Sequence, residues 1–171
     1  TWGADLTDVG WESGWASYYN NKDNESFGTS YANAYEIKTA QELAIFAKLV
    51  REGTDFHGKY VKLTENIDIS SKQWAPIGSN PISGEIESSE QMPFLGTFDA
   101  GKYDTNGVLK SNHIIKGLSV TYLNPSTYGG SRGLFATVGS SNEFNCYATV
   151  KNLNLVGVYM DMHENPVNRA G

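Results

Sequence analysis

A capped helix followed by short strand-like runs is the clearest local pattern in the sequence. Thr39 and Glu42 have the spacing of a capping box, in which the threonine hydroxyl accepts a helical N–H and the glutamate reaches back to the cap. Apolar residues then recur at helical spacing and Gly53 supplies a left-handed stop, which predicts a helix over about residues 40–52. The runs that follow, as far as Gly78, have strand character, and Trp74 within them is interpreted as a structural residue. One helix followed only by strands and turns predicts a helix that covers the end of a β structure.

Length and charge exclude several classes of protein. The chain has 171 residues, which fits one domain large enough to bury a core. Its net charge of −6 is spread along the sequence, and this argues against a nucleic-acid partner, which needs clustered Lys and Arg. No apolar run approaches the roughly 20 residues of a membrane-spanning helix, so no transmembrane segment is predicted.

The composition indicates an extracellular protein. Many Gly, Asn, Ser, Thr and Tyr residues with few charges are typical of secreted or cell-surface β proteins. The single cysteine, Cys146, excludes an intramolecular disulfide, and we interpret it as a small buried hydrophobic residue. Thr1 is not a start methionine, so we expect a mature or trimmed form.

Residues 1–33 form an Asn-rich arm that contains many aromatic side chains. Because disordered segments usually have few aromatics, we expect part of this arm to pack against the main domain. Two interpretations of its tryptophans remain open. They are either core residues or, for Trp11 and Trp15, exposed rings that contact a sugar ligand.

The rest of the chain, residues 34–171, is predicted to form one β domain, and its sequence has weak internal repetition. The run 113–120 parallels the run 149–156, and both alternate apolar residues around a Lys-x-Leu centre. Repetition of this kind indicates stacked units that bury their faces against one another. A sandwich of short strands fits the same pattern.

Several segments recur in an order typical of one family. They are 39–50, Gly53-Thr54-Asp55-Phe56, Val61-Lys62-Leu63-Thr64, Trp74-x-Pro76-Ile77-Gly78, Gly96-Thr97-Phe98-Asp99, Gly133-Leu134-Phe135 and Val150-Lys151-Asn152-Leu153. In this order they resemble the N-terminal portion of bacterial surface proteins with GLUG-type repeats. The resemblance implies a mainly β fold, a right-handed parallel β-helix (a short solenoid) with one N-terminal capping α-helix. It also implies a secreted or surface protein with an adhesin-like or unassigned role.

Three insertions depart from that family pattern, at about residues 79–93, 100–112 and 124–132. Insertions in a solenoid project as loops, and binding residues concentrate on loops. Tyr103 and Tyr128 lie in these insertions and are therefore candidate ligand contacts. The expected partners are a glycan, or a host or matrix protein. Further coils or a second copy are expected at the open C-terminal end of the solenoid.

Several acidic residues are candidate catalytic groups or candidate metal ligands. Glycoside cleavage needs two carboxylates a few ångströms apart, and the candidate pairs are Asp99 with Asp104 and Glu65 with Asp68. For Asp99 in Gly-Thr-Phe-Asp, a turn-capping role is the favoured explanation over a catalytic one. Asp99, Asp104 and Asn106 also offer oxygen ligands for calcium, but they lack the full spacing of a calcium loop. No cofactor is predicted from any other motif.

The remaining acidic residues and the histidines do not predict a catalytic or metal-binding site. We interpret the glutamates of the 85–90 loop as solvent-exposed charged side chains. The three histidines lack the spacing of a zinc site. Three functions therefore remain from the sequence. The leading one is a non-catalytic adhesin-like binding module, the second a structural stalk or spacer, and the third a carbohydrate-active enzyme that uses Asp99.

Overall fold

A computed structural model describes residues 14–79, 91–120, 133–139 and 147–161 of the chain. These ranges contain two helices, α1 (Ala16–Tyr19) and α2 (Ala40–Arg51). They also contain eleven strands: β1 (Tyr35–Ile37), β2 (Tyr60–Leu63), β3 (Ile67–Asp68), β4 (Thr97–Asp99), β5 (Gly101–Tyr103), β6 (Leu109–Asn112), β7 (Ile114–Lys116), β8 (Ser119–Val120), β9 (Thr149–Lys151), β10 (Asn154–Val156) and β11 (Tyr159–Met160).

Both ends of helix α2 are closed by side-chain and backbone hydrogen bonds. The Glu42 amide donates to the Thr39 hydroxyl, and the Glu42 carboxylate accepts from the Thr39 amide, so the predicted capping box is confirmed. At the other end the Gly53 amide donates to the Val50 carbonyl and the Thr54 amide to the Leu49 carbonyl. This is a Schellman motif, and it requires the positive φ of 99° that Gly53 adopts.

The strands form four small sheets. The largest has the order β1-β2-β4-β9 and is parallel throughout. A second parallel sheet has the order β10-β7-β3, and β11 pairs with β8 in a third. Strands β5 and β6 form an antiparallel hairpin. Most neighbouring strands are distant in sequence, so the pairing brings together side chains from all parts of the chain.

The right-handed parallel β-helix predicted from the sequence is wrong for this chain. The described strands form separate small sheets of four, three and two strands, one of them antiparallel, and not one solenoid. The physical reason lies in the interior. Seven side chains of helix α2 are buried in the same cluster as the inward residues of the sheets, so a helix fills much of the space that stacked strands would fill. The described ranges contain eleven short strands and two helices, of which only α2 is longer than four residues.

The core is dominated by aromatic rings around helix α2. Phe46 lies at its centre and is fully buried, with ring centroids of Phe56, Phe94 and Phe98 5.1, 5.5 and 5.9 Å away. Trp74, named from the sequence as a structural residue, is also fully buried and donates its indole N–H to the Leu134 carbonyl. Ring pairs of this kind add stabilisation beyond the area they bury.

The outer edge of strand β1 is closed by the segment around helix α1. The Trp15 indole N–H donates to the Glu36 carbonyl at 2.7 Å, and the Glu36 amide donates to the Ser17 hydroxyl at 2.8 Å. Both backbone groups of Glu36 that face away from β2 are therefore satisfied, as edge strands require when they are covered. At the opposite edge, β9 has a partner strand on one side only among the described residues.

The predicted loop insertions have different outcomes. Residues 100–112, expected as an excursion without regular structure, instead form the β5–β6 hairpin. The 79–93 insertion is described only at its two ends, where Ser79 and Met92 form an antiparallel bridge. Residues 124–132 lie outside the described ranges, as does Cys146.

Candidate functional site

A pocket lies where the β5–β6 hairpin meets the four-stranded sheet and the segment before β1. Its volume is about 380 Å³, at the small end of the range of roughly 300–1,000 Å³ that is usual for ligand sites. The described residues that line it are Tyr31, Asp99, Tyr103, Asp104, Thr105, Gly107 and Lys151. It thus combines two aromatic rings with a few polar groups, the composition expected of a small-molecule site.

The two tyrosine rings form a corner of fixed geometry. The ring centroids of Tyr31 and Tyr103 are 4.8 Å apart and the ring planes meet at 72°. Each phenol is tied to the backbone or to a buried acid: the Tyr31 hydroxyl donates to the Gly101 carbonyl at 3.1 Å and the Tyr103 hydroxyl to Asp99 at 2.9 Å. Because both ends of each ring are held, little rotamer entropy remains to be lost when a ligand binds.

Asp99 is the centre of the polar network beneath the pocket. Its side chain is fully buried, and one carboxylate oxygen accepts from the Gly101 amide at 2.9 Å and from Asn152 Nδ2 at 2.8 Å. The other oxygen accepts from the Tyr103 hydroxyl and lies 3.2 Å from Lys151 Nζ. The buried charge therefore has four donors, which satisfies the condition under which a buried carboxylate is stable.

Backbone conformation brings these groups together. Asn152 adopts a φ of 57°, a left-handed conformation that Asn tolerates better than most residues, and its amide contacts both Asp99 and the Tyr103 hydroxyl. At Gly101 an added Cβ would lie 2.7 Å from the Tyr103 ring and 2.8 Å from Asn152 Nδ2. Only glycine fits there, and its absent side chain lets the hairpin approach β9 closely.

The electrostatics of Asp99 favour its ionised form. Burial alone would raise the pKa of this carboxyl, but the four donors around it outweigh that effect and hold the pKa below its usual value. Burial also raises the pKa of the Tyr103 phenol, and the hydrogen bond to Asp99 adds to the rise. For Lys151 burial alone would lower the pKa, but the Asp99 carboxylate raises it. The network thus holds its protonation states across neutral pH.

Asp104 closes the turn of the hairpin. One of its carboxylate oxygens accepts from the amides of Asn106 and Val108, both at 2.9 Å, and the other lies 2.9 Å from Lys110 Nζ. The Val108 amide and the Lys110 ammonium lower the pKa of the Asp104 carboxyl. The carboxylate oxygens considered as calcium ligands are therefore engaged by protein donors, in Asx turns at both Asp99 and Asp104.

The strand register places alternating charges across the floor of this region. Glu36, Lys62, Asp99 and Lys151 occupy matched positions of β1, β2, β4 and β9. Lys62 Nζ lies 3.3 Å from Glu36 and 4.7 Å from the centroid of the Tyr31 ring, and it donates to the Tyr31 carbonyl. The ladder of charges therefore also fixes the position of Tyr31.

The structure describes two of the four predicted ligand contacts, Tyr103 and Trp15, and places them in different environments. Tyr103 lines the pocket, beside Asp99 and Asp104. Trp15 is fully buried in the aromatic core, which corrects its assignment as a possible ligand contact, since no face of its ring is open to a sugar. Trp11 and Tyr128 lie outside the described residues.

The sequence did not predict the side chains of Tyr31, Thr105, Lys151 and Asn152 as parts of the site. Tyr31 lies in the polar arm, 72 residues before Tyr103 in the numbering, and no local pattern connects the two. A signal did exist for Lys151, because parallel strands in register pair Asp99 with it. That signal becomes visible only when the register is known.

The other acids singled out from the sequence do not form a second site in the described ranges. Asp68 accepts from the amide and hydroxyl of Ser70 and lies 3.4 Å from Lys116 Nζ, and the Ser70 contacts lower the pKa of its carboxyl. The 85–90 glutamates lie outside those ranges. Among the residues that are described, no group of three or more His, Cys, Asp or Glu side chains is placed to hold a metal ion.

Comparison with known proteins gives no assignment: no family model, no curated protein and no solved structure matches the chain. The helices of the described ranges are all too short or too polar to span a membrane.

Proposed function

We propose that this protein is a non-catalytic, adhesin-like binding module of the cell surface or secreted fraction, and that it binds glycan in the Tyr31–Tyr103 pocket. The observation that carries the proposal is the pair of tyrosine rings held at 72° beside a pocket of about 380 Å³. Aromatic faces bind the apolar faces of sugar rings, while neighbouring polar groups bind the hydroxyls.

The acid–base properties of the pocket support binding in preference to hydrolysis. A glycosidase needs one carboxyl with a raised pKa, which keeps its proton at neutral pH and donates it to the leaving group. The pKa values of the Asp99 and Asp104 carboxyls are both lowered. Asp99 is also fully buried, so it has no surface with which to contact a glycosidic oxygen.

The extracellular assignment is supported by the composition and by the resemblance to GLUG-type surface proteins. A glycan ligand is consistent with an extracellular location, because bacterial surface proteins are exposed to the polysaccharides of neighbouring cells and matrices. The two sources of support are independent of the pocket geometry.

A retention experiment tests the proposal. The protein is run through native gels that contain one soluble polysaccharide each, and its mobility is compared with that of a Tyr31→Ala/Tyr103→Ala variant. We expect at least one polysaccharide to slow the unaltered protein, and the double variant to bind it at least about tenfold more weakly, because aromatic anchors often contribute a few kcal/mol.

Tyr147→Ala is the matched control. Tyr147 is 84% exposed and lies outside the pocket lining, so its removal tests the loss of an exposed tyrosine as such. Circular dichroism establishes that all variants are folded. Equal retention of the folded double variant and the Tyr147 variant would contradict the proposed site, and absence of retention on every polysaccharide would contradict the function.

A further inference from the structure

The charges beneath the pocket are matched in pairs. Along the four-stranded sheet the register gives the order Glu36, Lys62, Asp99, Lys151, in which the sign alternates at every step. Nζ of Lys62 lies 3.3 Å from Glu36, and Nζ of Lys151 lies 3.2 Å from Asp99. Asp99 and Lys151, the two members of this series that line the pocket, are therefore paired with each other and add no net charge to it.

The rim repeats this matching. Asp104, which lines the pocket, lies 2.9 Å from Nζ of Lys110. Every charged side chain among the described lining residues thus has an opposite charge in direct contact: Asp99 with Lys151 and Asp104 with Lys110. Pairs at such short distance present little field to a third group.

An anionic ligand gains little from such a pocket. Lys151 is the cation that lines it, with a side chain 42% exposed, and its charge is already engaged by the buried Asp99. A ligand carboxylate or sulfate would have to compete with Asp99, which is fixed by three other donors. The chain as a whole carries −6, which opposes the approach of an anion.

A cationic ligand is disfavoured for the complementary reason. The Asp99 carboxylate is fully buried and lies 3.2 Å from Lys151 Nζ, and the Asp104 carboxylate lies 2.9 Å from Lys110 Nζ, so both acids of the pocket are already paired with a cation. The face that remains for recognition consists of the two tyrosine rings, the Thr105 hydroxyl and backbone groups of the hairpin turn.

From this matching we infer that the ligand class of the pocket is an uncharged saccharide, of one or two residues at the binding point, recognised by ring stacking and neutral hydrogen bonds. The inference rests on the proposed glycan-binding function and narrows it. It also implies that binding changes little with ionic strength, since no net charge is neutralised when the complex forms.

The test uses pairs of polysaccharides that share a backbone and differ in charge. Each neutral polysaccharide of the panel is matched with its carboxylated or sulfated form, and retention of the full chain is measured from about 50 to 500 mM NaCl, a range over which surface charges become screened. We expect the neutral member of a pair to bind about threefold or more tightly than its charged form, with less than about a twofold change across the salt series.

The outcomes separate the two levels of the proposal. Preferential binding of the charged form, weakened by salt and lost in the Tyr31→Ala/Tyr103→Ala variant, would overturn the neutral-saccharide inference and leave the glycan-binding function in place. No retention on any member, or retention that the double variant keeps, would overturn both. Salt-independent binding of the neutral form that needs the two tyrosines supports both.

Discussion

Asp99 determines the local structure of the pocket because its charge is both buried and fully hydrogen-bonded. Four donors from two separated parts of the chain, the β5 strand and the segment 151–152, converge on its two oxygens. Removing the charge leaves these donors partly unsatisfied, and an unsatisfied buried donor costs more than a formed hydrogen bond contributes. One aspartate thus links hairpin, sheet and β9.

We expect Asp99→Asn to lower the free energy of unfolding by about 2–4 kcal/mol near neutral pH, because several charge-assisted hydrogen bonds are lost at once. The Lys151 pair adds little to this figure, since the lysine is 42% exposed and screened by solvent. Denaturant titration measures the change. Asp23→Asn is the control, with an 88% exposed carboxylate and an expected change below about 0.5 kcal/mol.

The effect of Asp99→Asn depends on pH in a defined direction. The pKa of the Asp99 carboxyl is lowered by folding, so its stabilisation is present above the unfolded pKa and is lost as pH falls through the folded value. The difference between the two proteins should therefore be constant from about pH 5 to 8 and shrink below about pH 4, near the value for an unfolded aspartate. A difference that stays constant down to about pH 2 would contradict the lowered pKa.

Helix α2 shows which elements local sequence predicts well. Thr39, Glu42 and Gly53 predicted its two ends from short-range chemistry alone, and the structure places the helix over Ala40–Arg51 with the capping box and a glycine-dependent stop. Caps and stops involve residues only a few positions apart, so a single sequence contains the whole signal.

The capping box can be tested by one pair of substitutions. Thr39→Ala removes the hydroxyl that accepts from the Glu42 amide and should lower stability by about 1 kcal/mol, or Tm by about 2–4 °C for a domain of this size. Thr39→Ser keeps an acceptor at the same place and should change Tm by less than half as much. Equal losses in the two thermal scans would show that the methyl group, and not the cap, stabilises the helix.

The turn of the β5–β6 hairpin has a recognisable local sequence. Asn106-Gly107 is a strong turn sequence, Gly107 adopts a φ of 75°, and the flanking residues pair as an antiparallel hairpin. The family resemblance predicts an insertion loop at this place, whereas the structure has a hairpin whose turn contains the Asn106-Gly107 pair.

At the scale of the whole molecule, the fold depends on contacts that the sequence does not reveal. In the two similar runs of the sequence, Leu118 and Val120 are fully buried, whereas Leu153 and Leu155 are only partly buried. Which strands pair is a different question, since β4 pairs with β2 and β9, from opposite parts of the chain. The sequence likewise predicts Tyr103 but not Tyr31 or Lys151 as a site residue, because only strand register and chain path bring these three residues to one pocket.

The aromatic core offers a test at this scale. Phe46→Ala should lower the free energy of unfolding by about 3–5 kcal/mol, because the ring is fully buried and contacts rings from both sides of the core. Phe27→Ala, a partly buried ring that contacts Tyr35 at the periphery, should cost about 1–2 kcal/mol. Denaturant midpoints that fall equally for the two variants would contradict a core centred on α2.

The contacts of Trp15 and Ser17 with β1 determine how slowly amide hydrogens exchange at this edge of the four-stranded sheet. The Glu36 amide is held by Ser17, beside the buried Trp15 ring, so that amide exchanges with deuterium only when α1 detaches from the core. The Glu36 amide should therefore exchange more slowly than the amides of an edge strand that no side chain covers.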